Sequence, residues 1–297
     1  MDARILQRTC LLWALACCVL SVRGQFAVSL PESVAEDSGR PFRQKHEVKV
    51  DDPRLECIYA FAGKDPVIKV VRRVAYIMQI GAKWTKWSDY SDYLKDSVCW
   101  RTDWKVTVGE MDERFGKWSS FWQESQLRDR AGDTFACMGG TTYDRFIYED
   151  STARMDWTLT EDTATVCGYA CRKATARFRG RDWTAWYAEK LPEDAGPWKL
   201  HGLPGLILRA EADSGLLRFE AVQVRVPEGE TYYVARAIPR PEDVPMARED
   251  VLKLEREVLT GFDTYMEQKL AKLSPSERPT IQVASLKRMF YQPLELE

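Results

Sequence analysis

Three side chains that could support acid–base or ion-pairing chemistry lie within one stretch of the chain: Arg181, His201 and Asp213. An imidazole that transfers a proton, beside a carboxylate and a guanidinium, is a common basis for general acid–base catalysis. No nucleophile motif accompanies them, because Ser214 stands in an Asp-Ser-Gly turn and the chain has no GxSxG elbow. An enzyme whose site assembles around these three residues is therefore one hypothesis, and no residue is assigned as catalytic.

Metal and phosphate chemistry finds little support in the sequence. The chain has two histidines, His46 and His201, and no HExxH, CxxC or glycine-rich phosphate loop. We therefore predict no metal ion and no cofactor, and we interpret His201 as a turn residue bonded to the backbone. A thiol–imidazole pair of His201 with Cys167 or Cys171 is the less favoured alternative, since both cysteines fall in a predicted strand.

Aromatic and basic side chains provide the best indication of a binding surface. Tryptophan anchors interfaces and stacks on sugars and peptides, and two of the arginines would share one strand face that could meet an acidic partner. The competing interpretation is that the tryptophans fill a β core and the arginines cover a solvated sheet face. The candidate surface comprises Arg177, Arg179, Arg181, Trp183, Trp186, Trp198 and His201.

The elements that would position these residues are mostly strands. Short alternating segments, separated by turns such as Gly202–Gly205 and Asp213–Gly215, follow one another without crossover helices. This pattern predicts a mainly β fold with an antiparallel curved sheet, either a half-barrel or a sandwich. A half-barrel would also suit a carrier of apolar ligands, which is a further hypothesis for the function.

Two helices interrupt or follow the predicted sheet. Met111, Phe115, Trp118 and Trp122 have helical spacing and predict a short inserted helix. An apolar stripe over 247–273 predicts a C-terminal helix, with Gly261 inside it. The predicted organisation is a signal peptide over 1–24, a linker or weakly ordered arm over 25–54, an antiparallel β domain over 55–235, and a C-terminal helix and tail over 236–297.

One segment resembles a known family. Cys167 to Ala174 leads into Phe178–Arg181 and then into the hexapeptide Gly202, Leu203, Pro204, Gly205, Leu206 and Ile207. The chain resembles the GLPGLI family, which is named for that hexapeptide, over about 55–226. The resemblance implies an exported or cell-envelope protein of one domain, and it assigns neither an activity nor catalytic residues. We expect the hexapeptide to be structural: its proline fixes one φ angle, and its glycines, Gly202 and Gly205, permit a positive φ.

The N-terminus predicts export. Arg4 and Arg8 precede an apolar run that is too short to span a membrane, and small residues precede a cleavage point at Gln25. We expect no transmembrane segment after cleavage; a lipid on Cys17 or Cys18 is the alternative. The protein would be periplasmic, associated with the outer membrane, or secreted. Five cysteines follow residue 24, so we expect at least one disulfide, though none between Cys167 and Cys171.

Composition limits the partners. The formal net charge is −2, with 30% charged and 45% hydrophobic residues, so there is no basic footprint for nucleic acid. The predicted export and the resemblance to the GLPGLI family together imply an envelope protein that binds, or helps to assemble, another envelope component, and whose role is not enzymatic. An enzyme around His201, Asp213 and Arg181, and a carrier of apolar ligands, are the two alternatives.

Overall fold

A large β-sheet organises the protein. The computed structural model describes residues 39, 41–42, 46–115, 123–141, 143–151, 155–272 and 291–296. The strands are β1 Glu47–Asp51, β2 Leu55–Asp65, β3 Val70–Ile80, β4 Trp84–Asp89, β5 Gln123–Asp129, β6 Thr134–Gly140, β7 Arg145–Ser151, β8 Thr158–Val166, β9 Tyr169–Phe178, β10 Arg181–Ala188, β11 Leu206–Ala212, β12 Leu217–Arg225, β13 Val234–Ala237 and β14 Asp243–Pro245. The helices are α1 Tyr90–Arg101, α2 Val108–Phe115, α3 Arg248–Thr260 and α4 Phe262–Ala271.

Twelve of these strands form one sheet in the order β14-β7-β6-β5-β4-β3-β2-β12-β11-β10-β9-β8. All neighbouring pairs are antiparallel except β14 with β7, and the sheet does not close because β14 and β8 lie at opposite edges. The prediction of a mainly β, antiparallel fold with a C-terminal helical part is confirmed. Short turns joining consecutive strands explain it, since they permit antiparallel neighbours only.

The register of β2 to β7 defines two faces. Side chains on one face, here called the Cys57 face, include Cys57, Met78, Trp87, Cys137 and Tyr148, because these residues or their cross-strand partners stand directly opposite one another. The opposite face, here called the Ile58 face, carries Ile58 and its partner Ile77. Both faces are covered near the middle of the sheet, so the strands are buried on two sides rather than one.

The main core lies on the Cys57 face. Tyr59, Trp87, Trp183 and Phe219 belong to one buried cluster there, and Tyr76 stacks on Trp87 with ring centroids 4.8 Å apart. Each large apolar side chain buried in this way stabilises the fold by roughly 1.5–3 kcal/mol. The concavity that a carrier of apolar ligands would need is therefore filled by the protein's own side chains.

The helices pack on both faces. Val251 and Val258 of α3 and Phe262 of α4 contact the Cys57 face at β6 and β7. On the Ile58 face, Tyr93 of α1 packs with Tyr232. Among the described residues, no helix combines the length and apolar character that crossing a membrane requires.

Several boundaries differ from the sequence-based expectations. The segment 25–54, predicted to be a linker, contains β1. Its alternating EVKVD sequence forms an antiparallel pair with β13. The inserted helix covers Val108–Phe115, and the predicted positions Trp118 and Trp122 lie outside the described residues. Helix α1 was not predicted. Its weakly amphipathic sequence is buried between the sheet and neighbouring loops.

The C-terminal helix is divided. α3 ends and α4 begins at Gly261, whose φ of −120° and ψ of 45° are not helical, so the predicted continuous helix was wrong at that point. Helix α4 ends at Ala271, two residues before the end of the predicted range 247–273. Of the predicted extended tail, residues 291–296 are described and contact the sheet.

The GLPGLI hexapeptide packs the preceding loop against β10 and β11. Leu203, Leu206 and Ile207 are buried. Gly202, not Gly205, has the positive φ, at +92°. A Cβ added to Gly205 would lie 2.4 Å from the carbonyl oxygen of Ala188, so this glycine is required by close backbone approach.

Candidate functional site

A polar cleft of about 440 Å³ opens beside the ends of β4, β5 and β6. Its walls come from parts of the chain that are distant in sequence, namely residues 41–42, 46–47, 86–104, 123–125, 138–141 and 237–240 together with Arg145. Among the described residues, its lining includes five carboxylates, three lysine or arginine side chains and the imidazole of His46. The carboxylates are Glu47, Asp89, Asp92, Asp96 and Glu124, and the basic side chains are Lys86, Arg145 and Arg240.

Helix α1 delivers three of the carboxylates. Asp89 is its N-cap and accepts a hydrogen bond from the backbone N–H of Ser91 at 2.8 Å, which explains why the helix begins there. Burial raises the pKa of Asp89 despite this bond, and the nearby Asp92 carboxylate adds to the increase. Asp92 and Asp96 are four residues apart on the helix and so point in the same direction.

Two further contacts involve charged residues of the cleft. Asp243 binds the guanidinium Nε of Arg145 at 2.6 Å and so offsets one of the three positive charges. Glu47 is 9% exposed and accepts a hydrogen bond from the Tyr232 hydroxyl at 2.5 Å. Its other oxygen, Oε1, has no hydrogen-bond donor within bonding distance among the described residues. The described lining therefore favours a ligand that carries positive charge and hydrogen-bond donors.

A smaller cavity of about 100 Å³ lies between the Cys57 face and α3. Glu124 lines both the cleft and this cavity, so it marks where the two spaces adjoin. Its Oε1 accepts hydrogen bonds from the Tyr148 hydroxyl at 2.9 Å and from Gln126 at 3.1 Å. Burial raises the pKa of Glu124, although the positive charge of Lys199 opposes that increase.

Glu255 of α3 lines the same cavity. Burial raises its pKa to about 8, and the carboxyl groups of Glu124 and Glu295 add to the shift while Arg72 opposes it. Glu255 is therefore mostly protonated at pH 7. No hydrogen bond to its carboxyl group is found within the ranges that the structure describes, so the cavity surrounds a carboxyl group that has no fixed partner there.

The sequence-predicted binding residues do not form one exposed surface. The structure buries Arg181, Trp183, Trp198 and His201, and stacks Trp183 on Trp198 with ring centroids 5.8 Å apart. Trp183 and Trp198 therefore fit the competing interpretation, in which the tryptophans fill the core of the β fold. The sequence pattern could not distinguish the two roles because it does not reveal which strand face is covered.

The remaining members of that set are engaged in ion pairs or ring contacts. Arg177 is exposed and pairs with Asp182 at 3.1 Å. The sequence analysis expected Arg177 and Arg179 to lie on one strand face, and this was wrong. Strand β9 ends at Phe178, and Arg179 lies in the following turn with a φ of +50°. Trp186 is half-buried beneath the guanidinium of Arg209.

The three residues of the hypothetical enzyme site have different neighbours. Arg181 forms an ion pair with Asp213, and both lie at the β10 and β11 ends. His201 faces Asp194, with 3.9 Å between its Nδ1 and Oδ1 of the carboxylate. Only the Arg181–Asp213 pair of this hypothesis is therefore formed.

His201, Asp133 and Asp194 form the one group of possible metal ligands that the described residues bring together, with ligand atoms within 4.8 Å of one another. Arg128 already occupies this group: its Nη2 lies 2.5 Å from Asp133 and 3.0 Å from Asp194. The Gly202 N–H also donates to Asp194. Because this guanidinium pairs with both carboxylates, a metal cation would have to displace it in order to bind them.

The cysteines that the structure describes are not joined by disulfides. These are Cys57, Cys99, Cys137, Cys167 and Cys171, and the expectation of at least one disulfide in the exported protein stays a prediction. Cys167 lies in the turn between β8 and β9, not in a strand, with a φ of +50°. Burial raises the pKa values of Cys57 and Cys137, which makes both thiols unreactive.

The fold and the cleft define the class: a mainly β protein with a polar cleft rich in carboxylates. No known protein-family profile matches the chain, and no curated protein sequence matches it. Solved structures of PNGF-II in two crystal forms are similar at 16% and 17% identity, with a TM-score of 0.41 for each. The match covers 59% of this chain but only 29% and 28% of theirs, and a likeness of this size carries no conclusion.

Proposed function

We propose that this is an exported binding protein whose ligand is a polar molecule, or a protein side chain, that carries positive charge. The observation that supports this proposal is the cleft of about 440 Å³, in which carboxylates from β1, β4, α1 and β5 converge. Its volume lies in the range typical of small-molecule sites. Export is supported by the basic, apolar and small-residue sequence of residues 1–24.

A binding function fits the cleft better than transport of apolar ligands. A carrier would need an unfilled apolar concavity, whereas the Cys57 face is occupied by aromatic side chains and by α3 and α4. The cleft itself is lined by carboxylates and basic groups. Transferring a hydrocarbon ligand there would desolvate those charges without compensation.

Catalysis by the Glu124–Glu255 pair is less well supported. Two carboxyl groups with raised pKa values suit acid–base chemistry. However, the cavity that contains both measures about 100 Å³, which is space for only a few water molecules. A substrate would have to enter a space that the described residues largely fill.

Calorimetric titration of the mature chain with spermidine, and with the neutral disaccharide sucrose as control, tests the proposal. We expect spermidine to bind and its affinity to fall as salt rises, because the attraction is electrostatic. The double variant Asp92→Asn/Asp96→Asn should lower the affinity about tenfold or more, the equivalent of about 1.4 kcal/mol.

The matched control is Glu249→Gln/Glu257→Gln on α3, since these side chains are 74% and 63% exposed and do not line the cleft. Its affinity should equal that of the wild type. Equal binding of sucrose and spermidine, or an unchanged affinity in the Asp92/Asp96 variant, would refute a cationic ligand in this cleft.

A further inference from the structure

The polar cleft is acidic at one end. Asp92 and Asp96 lie there on α1, which packs against β3 and β4, and Asp89 at the end of β4 adds a third carboxylate. One basic side chain, Lys86 of β4, accompanies them, and its ammonium lies over the ring of Tyr232. Because the carboxylates outnumber this lysine, this end of the cleft attracts a cationic group.

The other end of the cleft presents arginine side chains. Arg145 begins β7, and Arg240 lies in the loop that precedes β14. The carboxylate of Asp243 binds Nε of Arg145 at 2.6 Å and accepts a hydrogen bond from the backbone N–H of Arg240 at 2.7 Å. The guanidinium of Arg240 pairs with Glu242 at 3.8 Å. Asp243 has no exposed side-chain surface, so it holds both arginines in place but does not itself meet a ligand.

The outer edge of the Arg145 guanidinium has no oxygen partner. Its Nη2 donates to the thioether sulfur of Met138 at 3.6 Å, which is a weak acceptor. Among the described residues, no oxygen accepts a hydrogen bond from either Nη atom of Arg145. A guanidinium held through Nε presents these two nitrogens as a fork that matches the two oxygens of a carboxylate. This end of the cleft therefore favours a carboxylate.

The sheet sets the distance between the two ends. Asp89 ends β4 and Arg145 begins β7, with β5 and β6 between them. Three spacings between neighbouring strands amount to about 14 Å along the sheet. A ligand that reaches both ends must therefore be extended and carry opposite charges at its two ends. An extended peptide spans this distance with about four residues.

Polar side chains without partners lie between the two ends. Ser88 of β4 and Gln123 and Ser125 of β5 line the cleft there. No hydrogen bond to or from these three side chains is found within the part of the chain that the structure describes. Hydroxyl and carboxamide groups both donate and accept, as the N–H and C=O groups of a peptide require. An alkyl chain with charged ends would leave them unpaired, so a peptide fits the cleft better.

We propose that the cleft binds a short extended peptide of about four residues, with its terminal ammonium among the carboxylates of α1 and its terminal carboxylate on Arg145 and Arg240. The side chains of Ser88, Gln123 and Ser125 bond the backbone between the two termini. This inference rests on the proposed function, a ligand that carries positive charge, and adds an anionic second end to that ligand.

Calorimetric titrations of the mature chain with tetraglycine, tetraglycine amide and N-acetyltetraglycine test the inference. The amide lacks the anionic end and the acetylated peptide lacks the cationic end, while both keep the length and the backbone. Each should bind about tenfold or more weakly than tetraglycine. A cleft without a carboxylate site predicts that the amide binds more tightly than tetraglycine, because the amide carries a net positive charge.

The double variant Arg145→Gln/Asp243→Asn removes the arginine fork without changing the net charge and without leaving the carboxylate of Asp243 unpaired. It should weaken tetraglycine binding about tenfold or more and leave the affinities for the amide and for spermidine unchanged, since the acidic end is intact. The matched control is Arg177→Gln/Asp182→Asn, an ion pair outside the cleft whose side chains are 67% and 77% exposed. This control should not change the binding of any probe.

The inference and the proposed function fail in different ways. If spermidine binds but tetraglycine and its amide have equal affinities, or the folded double variant binds tetraglycine as the wild type does, the inference is overturned and the proposed function stands. If neither spermidine nor tetraglycine binds, both are refuted. If the double variant does not fold, Arg240→Gln takes its place and should weaken the binding of tetraglycine but not that of spermidine; equal tetraglycine affinity in that variant and the wild type overturns the inference.

Discussion

Nζ of Lys199 lies 2.5 Å from Oε1 of Glu295, a residue 96 positions further along the chain. Burial alone would lower the pKa of Lys199, but the Glu295 and Asp150 carboxylates raise it above its ordinary value. The lysine is therefore charged, although its side chain has no exposed surface. This contact joins the loop that precedes the GLPGLI hexapeptide to the C-terminal segment 291–296.

Lys199→Met should reduce the free energy of unfolding by about 3 kcal/mol, at the lower end of the cost of breaking a buried ion pair. The lower end applies because Arg179 and Arg248 still accompany the two carboxylates. Lys253→Met is the control, since Lys253 is 74% exposed, and it should cost less than about 0.5 kcal/mol. Urea unfolding measures both, and equal values would contradict a structural role for Lys199.

Gly205→Ala should destabilise the protein by about 1–3 kcal/mol, because the new Cβ would collide with the carbonyl of Ala188. At Gly132 the nearest atom to an added Cβ is 3.7 Å away, so Gly132→Ala should be tolerated. Thermal unfolding compares the two. If the melting temperature of Gly205→Ala matches the wild type while ligand or peptide binding is lost, the hexapeptide is a binding loop and our structural interpretation fails.

The free energy of unfolding should depend on pH through Glu255. Its pKa is about 8 in the folded protein and roughly 4.3 in an unfolded chain. Between these values the folded state holds a proton that the unfolded state has released, so stability falls as pH rises and stops falling above about pH 8.

In Glu255→Gln the side chain at this position no longer titrates. The free energy of unfolding of this variant should therefore fall less than that of the wild type as pH rises from 5 to 8. Glu257→Gln, on the exposed side of α3, should follow the wild-type profile. Denaturant unfolding across this range gives the differences directly. Parallel profiles for the wild type and Glu255→Gln would show that Glu255 ionises normally in the fold.

The cysteines should differ in reactivity. In native protein we expect iodoacetamide to modify Cys167 first, because Cys57, Cys99, Cys137 and Cys171 are buried. All five should react after denaturation without a reductant. Mass spectrometry of non-reduced peptides reads both results. Recovery of two peptides joined by a disulfide would show that the exported protein is oxidised, as expected in an oxidising compartment, and would contradict the reduced cysteines of the structure.

The exported protein should begin at Gln25. N-terminal sequencing of protein recovered outside the cytoplasm measures this directly, and Arg4 and Arg8 should be absent from it. If the new terminus is instead a lipid-modified Cys17 or Cys18, the predicted cleavage before Gln25 is wrong and the protein is anchored to a membrane by its lipid. Retention of the first 24 residues would remove the basis for export.

The sequence by itself determined the class of the fold. Alternation along segments such as Trp183–Tyr187, and turn residues such as those at Asp213–Gly215, are local properties, and they specify short antiparallel strands wherever they occur. The apolar stripe of the C-terminal helices could be read for the same reason. Helix α1 could not, because its residues are buried on several sides and show little amphipathic period.

The sites were decided by tertiary structure. The cleft joins carboxylates of β1, β4, α1 and β5. Glu295 likewise pairs with Arg179, Lys199 and Arg248, which only strand order and helix docking bring together. The sequence showed tryptophans and arginines near the hexapeptide but not which of them would be covered. Burial is a property of the whole packed molecule, so an Arg181 that is 1% exposed and an Arg177 whose side chain is 67% exposed look alike in the sequence.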